Sequence, residues 1–227
     1  MNDDRNTDEL TKNIKKFLDY AEQGQKKFGG PSKYFYSKII GCHENNSLKE
    51  LLDDDKFYEY IYATLISWGM HRMGKRGAKM RDFCPFRESI QDCKSELLKL
   101  DKKALERLMP DQINQTQNAL LTIFHKLKIM KTNSKIVSTS KTLHFILPEL
   151  VVPIDREYTL RFFGEKNLTS KNEEKIFVEL FNRFYKISQK LKLDEVNFKK
   201  SKFQPSVAKL IDNAIIGYVA ENKRRAD

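Results

Sequence analysis

The sequence predicts an all-α, multi-helix globular protein, and three observations carry that reading. Apolar residues recur at helical spacing over most of the chain, as in Phe57, Tyr60, Ile61, Thr64, Leu65 and Trp68. Helix-start chemistry punctuates those stretches: Ser47-Leu-Lys-Glu50 is a capping box, and Pro31, Pro85, Pro110 and Pro205 stand where helices open. Sustained strand alternation does not occur, and the β-branched Val151-Val152 pair is too short to found a sheet.

Taken in order, Thr7 or Asp8 caps a first helix with Leu10, Ile14, Phe17, Leu18 and Ala21 on one face, and Gly29-Gly30-Pro31 ends it. Pro31 begins a second helix that stops near Gly41, and the capping box starts a short one with Leu48, Leu51 and Leu52. A strong amphipathic helix runs from Asp55 to Trp68. Pro85 opens another helix (Phe86, Ile90, Cys93, Leu97, Leu98), and Asp101 caps a short one ending at Met109. Ile113, Leu120, Leu121, Phe124 and Leu127 line a helix reaching about Met130, before the turn chemistry of Lys131-Thr-Asn-Ser134. Lys141 opens a short helical pattern, and a new helix begins at Asp155. Phe177, Leu180, Phe181, Phe184, Ile187 and Leu191 form a strict stripe on the next helix. The last helix carries Val207, Leu210, Ile211, Ala214, Ile215 and Tyr218. Residues 1–227 read as one unit of about ten helices. Two lobes are the alternative, either consecutive in the chain or a central one over 47–163 with one joining 1–46 to 164–227.

Lys plus Arg number 42 against 31 acidic residues, a net charge of +11 in a chain of 227 residues. That balance favours an anionic partner, nucleic acid first, although a Lys-rich composition alone produces the same number. The segment His71-Arg-Met-Gly-Lys-Arg-Gly-Ala-Lys-Met-Arg81 concentrates Arg72, Lys75, Arg76, Lys79 and Arg81 around two glycines. It is either a solvated helix face or a loop that grips phosphates. The three cysteines have no close-pair spacing, and His43, His71 and His125 are scattered, so no metal or other cofactor is implied. The start of the chain lacks an apolar signal region and no run approaches a membrane span, which predicts a cytoplasmic or nucleoid-associated protein without a membrane partner.

The stretch from Ser140 to Phe163 carries the chemistry. Asp155 follows Pro153-Ile154 at a helix start, where a carboxylate serves as an N-cap and sits in the positive end of the helix dipole. Lys141-Thr-Leu-His-Phe-Ile-Leu followed by Val152-Pro-Ile-Asp155-Arg-Glu-Tyr-Thr-Leu-Arg161 resembles the core of the helix-hairpin-helix DNA glycosylase superfamily. The resemblance covers residues 135–163. It implies an all-α fold with a helix-hairpin-helix element and duplex DNA as partner. It also implies Asp155 as catalytic carboxylate, Lys141 as the nucleophile of the members that also cut the strand, and Arg161 as the arginine that follows. The chain departs from the pattern in four respects, the first being that Arg161 stands one place later than the family's arginine. Ile136-Val-Ser-Thr-Ser140 has no glycine where the family hairpin has two, so Ser138, Thr139 and Ser140 stand in as phosphate contacts. The Lys141–Asp155 interval is shorter by about one helical turn. The C-terminal cysteine set that holds an iron–sulfur cluster in some members is absent.

The resemblance implies a DNA-repair hydrolase, an N-glycosyl hydrolase with lyase activity. Cleaving an N-glycosidic bond builds positive charge on the sugar, which a fixed carboxylate stabilises, and a lysine amine can attack to give a Schiff base. A base turned out of the duplex needs an aromatic pocket, and Trp68, Tyr158, Phe162 and Phe163 are available for it, as they are for the core. His144, as a partner to Asp155 or Glu149, and Arg161 are further candidates for its lining. The rival reading is a non-catalytic all-α module that binds nucleic acid through 72–81 and 131–141, or an interaction protein whose charge is compositional.

Overall fold

A computed structural model describes residues 2–72, 78–165, 167–198 and 200–224. The regular elements among them are helical: α1 (Asn2–Thr11), α2 (Ile14–Gln25), α3 (Gly30–Asn45), α4 (Leu48–Leu51), α5 (Asp55–Leu65), α6 (Phe83–Gln91), α7 (Lys94–Lys99), α8 (Pro110–Lys126), α9 (Ile136–Ile146), α10 (Glu173–Lys190) and α11 (Val207–Arg224). A π-helical turn, Arg156–Leu160, a 3₁₀ turn, Leu105–Arg107, and a kink over Ile66–Met70 in which Trp68 and Gly69 leave helical backbone angles complete them. Extended pairing among the described residues is confined to isolated bridges, Met80 with Met130 and Ser201 with Gln204. The fold is all-α. No helix among the described residues is long and apolar enough to cross a membrane.

Local chemistry explains where helices begin and where the expected boundaries fail. Ser47 Oγ accepts from Glu50 N while Ser47 N donates to Glu50 Oε2, so the capping box closes. The first expected helix is two, because the Asn13 side chain accepts from Lys15 N and Lys16 N and starts α2 afresh. α3 runs through Gly41 to Asn45, since a glycine inside a helix weakens it without ending it. The helix expected from Pro85 through Leu98 breaks after Gln91 into α6 and α7. The segment after Asp101 is a turn with Lys102 at φ +63 and then the 3₁₀ turn, not an α-helix. α9 begins at Ile136, not at Lys141, so the Ser138–Ser140 stretch is helix instead of hairpin.

α11 is the central strut. Every residue from Ser206 to Val219 is buried, so the helix is enclosed on all sides rather than along one stripe. It packs on α2, α10, α1 and the Arg156–Leu160 turn. The crossing with α2 is a backbone-to-backbone approach. A Cβ on Gly24 would lie 1.9 Å from the Asn213 carbonyl oxygen, and one on Gly217 would lie 2.0 Å from that of Tyr20. Glycine is required at both places because no side chain fits. This crossing joins segments from near the two ends of the sequence, and Asp212 and Ile216 of α11 border the same cleft as Lys141 of α9 and Pro153 of the loop before Asp155.

Candidate functional site

Asp155 is an N-cap and more. Its Oδ1 accepts from Glu157 N at 2.7 Å and Tyr158 N at 3.4 Å, while its own N–H donates to Thr159 Oγ1 at 3.1 Å. The turn it caps is π-helical, closed by Leu160 N donating to the Asp155 carbonyl. The second carboxylate oxygen, Oδ2, accepts from Lys141 Nζ at 3.1 Å. One residue therefore fixes the helix start and holds a cation.

Lys141 reaches Asp155 from the middle of α9. Ser140 Oγ accepts from Ile154 N at 3.0 Å and ties the helix to the strand-like segment before Asp155, which sets the register of the pair. The lysine side chain is 6% exposed and that of Asp155 33%, so the pair sits at the inner end of an opening to solvent. Its ammonium also lies 5.5 Å from the Trp68 ring centroid, within cation–π range. The opening is a cleft of about 330 Å³ bordered by Phe28, Trp68, Lys141, Asp155, Tyr158 and Asp212. The kink after α5 contributes Ser67, Trp68 and Gly69 to it, and the π-helical turn at Arg156–Leu160 contributes Tyr158. Gly69, at φ +79, turns the chain there and brings Trp68 to the cleft.

A second lysine–aspartate pair, not foreseen in the sequence, closes the cleft from α11. Lys209 Nζ donates to Asp212 Oδ2, and both side chains are buried. The ammonium lies 5.0 Å from the ring centroids of Phe28 and Phe203, 5.3 Å from Trp68 and 5.8 Å from Tyr36, an aromatic box around one cation. Burial pushes the Asp212 carboxyl above the usual range. Lys209 pulls it back, Asp155 pushes it further up, and Lys141 pulls it down. The two pairs are thus electrostatically in contact, with the Trp68 ring shared between their ammonium groups. Lys209 and Asp212 escape a periodicity reading because a polar residue on a helix is assigned to solvent by default. The available signal was that α11 has too few polar residues for an outer face.

The remaining candidates separate from the cleft. His144 is a core histidine: Nδ1 donates to the Val151 carbonyl at 2.7 Å and Nε2 accepts from Tyr36 Oη at 2.8 Å. Burial first, then the charge of Lys209, lowers its pKa to about 3, so the ring is neutral. Ser138, Thr139 and Ser140 are buried in α9, and the Ser138 and Ser140 hydroxyls donate to the Lys135 and Val137 carbonyls. They face inward and do not reach a phosphate. Arg161 borders a different depression, with Arg5, Glu9 and Tyr218, and is not part of the cleft.

Of the basic segment, Lys75 and Arg76 lie outside the described residues. Arg72 is exposed, and its N–H donates to the Ala78 carbonyl at 2.9 Å. Lys79 Nζ is turned onto the Arg72 carbonyl. Arg81 is half-buried and acts through its backbone, donating to the Ile129 carbonyl and accepting from Tyr62 Oη. In the described part of the segment a backbone hydrogen bond joins Arg72 to Ala78, and Arg72 is exposed. Among the described residues no group of His, Cys, Asp and Glu is placed to hold a metal ion. No family model matches the chain, and neither a curated protein nor a solved structure matches it.

Proposed function

We propose that the protein binds duplex DNA and cleaves the N-glycosidic bond of a base turned into the Lys141–Asp155 cleft. The observation that carries this reading is the 3.1 Å approach of Lys141 Nζ to Asp155 Oδ2 inside a cleft of about 330 Å³. That volume lies at the small end of ligand sites, on the scale of one nucleoside rather than a chain segment. Asp155 accepts the proton that leaves Nζ, and the freed lone pair bonds to C1′ of the sugar. The bond from C1′ to the base breaks, and the base departs with that electron pair. The carboxylate, fixed by two backbone N–H groups, stabilises the positive charge that develops on the sugar without reorganising. Phe28, Trp68 and Tyr158 line the cleft and supply the aromatic wall that an extruded base needs.

The test is borohydride trapping on a panel of duplexes, each with one damaged base. Wild type gives a covalent adduct on at least one duplex, and Lys141→Gln gives none. Asp155→Asn loses excision while its DNA affinity holds or rises, because a negative charge near phosphate is removed. Binding without an adduct or base release on any duplex would leave the non-catalytic module as the correct reading.

A further inference from the structure

The proposed chemistry uses Lys141 and Asp155 and leaves the second buried pair idle. Asp155 is heavily engaged, with Oδ1 on two backbone N–H groups and Oδ2 on the lysine. Asp212 borders the same cleft from the opposite element, α11, and only its Oδ2 is given to Lys209. Lys209 in turn is immobilised by the rings of Phe28, Tyr36, Trp68 and Phe203, so the carboxyl group it holds has a fixed position. A carboxylate held so rigidly at the edge of a reaction cleft, beside a first carboxylate already committed, is an acid–base group in waiting.

We infer that Asp212 is the proton acceptor of a strand-cutting step at this cleft, with Lys209 as its positioning residue. The inference rests on the reading of Lys141 as the nucleophile. The Lys141 nitrogen, bonded to C1′, gives up a second proton, and its lone pair expels O4′ from C1′. The proton held by Asp155 passes to O4′, so that the sugar is held as an open-chain iminium, and Asp212 then takes the proton from C2′. The C2′–H electron pair becomes a C2′–C3′ double bond, the C3′–O bond breaks, and the 3′ phosphate leaves with that bond's electrons. No oxidant, reductant or further reactant is consumed. Burial raises the affinity of the Asp212 carboxyl for a proton, which suits this task better than an ordinary carboxylate would. Two carboxyl groups in one cleft with environments this different divide the roles between them.

The probe is a duplex oligonucleotide with one preformed abasic site, which bypasses the unknown base. Wild type forms a borohydride-trapped adduct and cuts the strand. Asp212→Asn still forms the adduct, while cutting falls by about 100-fold or more, the usual share of a general base. The acidic limb of the cutting-rate pH profile disappears with it. Because Asp212→Asn leaves the Lys209 charge buried, Lys209→Met with Asp212→Leu serves as the second variant. It fills the box with apolar groups, keeps the fold and shows the same split. Wild-type cutting rates in either folded variant would overturn the inference alone. Loss of adduct and cutting together in a variant with an unchanged melting temperature would overturn it in favour of a purely structural pair. No adduct with wild type would overturn the nucleophile reading and this inference with it.

Discussion

Lys141 Nζ lies 3.1 Å from Asp155 Oδ2, and the two partners are unequally buried, 6% against 33% exposed. That asymmetry decides what each contributes to stability. The lysine depends on the aspartate more than the reverse, since Asp155 keeps two backbone donors and some solvent when the ammonium is gone. Asp155→Ala removes a cap, about 1 kcal/mol, and strands a buried cation. A fully buried pair would lose about 3–5 kcal/mol, and the exposure of Asp155 brings the expected total to about 3 kcal/mol. Lys141→Met keeps the apolar stem and costs about 1 kcal/mol or less. Urea unfolding of the two variants measures the order, and equal losses would contradict it.

His144 sets a pH dependence with a definite sign. Its pKa is about 3 in the folded chain because of burial and the nearby Lys209, against about 6.5 when unfolded. Between those values the unfolded state binds the extra proton, so stability is full above pH ~6.5 and falls as the pH drops, by about 1.4 kcal/mol per pH unit. His43, lowered by burial, acts in the same direction. Asp212 acts oppositely, its raised pKa favouring the folded state as the pH falls through the carboxylate range. Unfolding free energies of wild type and His144→Gln at pH 7, 6 and 5 separate these. The variant is less stable at pH 7 but loses less between pH 6.5 and 5. An unchanged slope would show that His144 is not the group that titrates.

The α2–α11 crossing predicts opposite effects for the same substitution. Gly217→Ala puts a methyl group 2.0 Å from the Tyr20 carbonyl oxygen, so two helix backbones must part. The loss is about 3 kcal/mol or more, at the upper end of overpacking costs. Gly24→Ala at the same crossing behaves alike, and the double variant loses less than the sum because the separation occurs once. Gly41→Ala, with nothing within 4 Å of the added carbon, stabilises by about 0.5–1 kcal/mol through helix propensity. Thermal melts of the four variants against wild type suffice, and a tolerated Gly217→Ala would refute the close approach.

These glycines show where the sequence is readable and where it is not. Phe177, Leu180, Phe181, Phe184 and Ile187 announce the buried face of α10 by spacing, because periodicity is a property of one helix. The Ser47 box is readable for the same reason, since its partner is Glu50 in the next turn. Gly24 and Gly217 carry no local signal, as their role exists only when two helices distant in sequence meet. The same holds for Lys209, whose partners Phe28, Tyr36, Trp68 and Phe203 come from separate elements. Lys141 and Asp155 stand out in the sequence as a pair only through the family resemblance, since Asp155 alone reads as a cap and the distance between them depends on how α9 packs against the loop before Asp155. The break at Asn13 was not, because a single side chain receiving two backbone donors outweighs a continuous apolar stripe.

The chain's single tryptophan gives the binding prediction its own reporter. Trp68 borders the cleft, and the ammonium groups of Lys141 and Lys209 lie 5.5 and 5.3 Å from its ring centroid. A base stacking into the cleft changes its emission, so duplex titrations followed by Trp68 fluorescence read occupancy directly. Arg72 lies just beyond the kink that carries Trp68 and is exposed, with its backbone tied to Ala78. Its guanidinium gives Nε to the Gly69 carbonyl at 3.3 Å, which leaves its two terminal nitrogens to meet a phosphate. Affinity falls steeply as salt rises, because each phosphate contact releases a counterion. Arg72→Ala lowers affinity uniformly across sequences and reduces the slope of log affinity against log salt by about one. Lys79→Ala has a smaller effect, since that ammonium is already turned onto the Arg72 carbonyl. A salt-independent affinity would remove nucleic acid as the partner, whatever the cleft does.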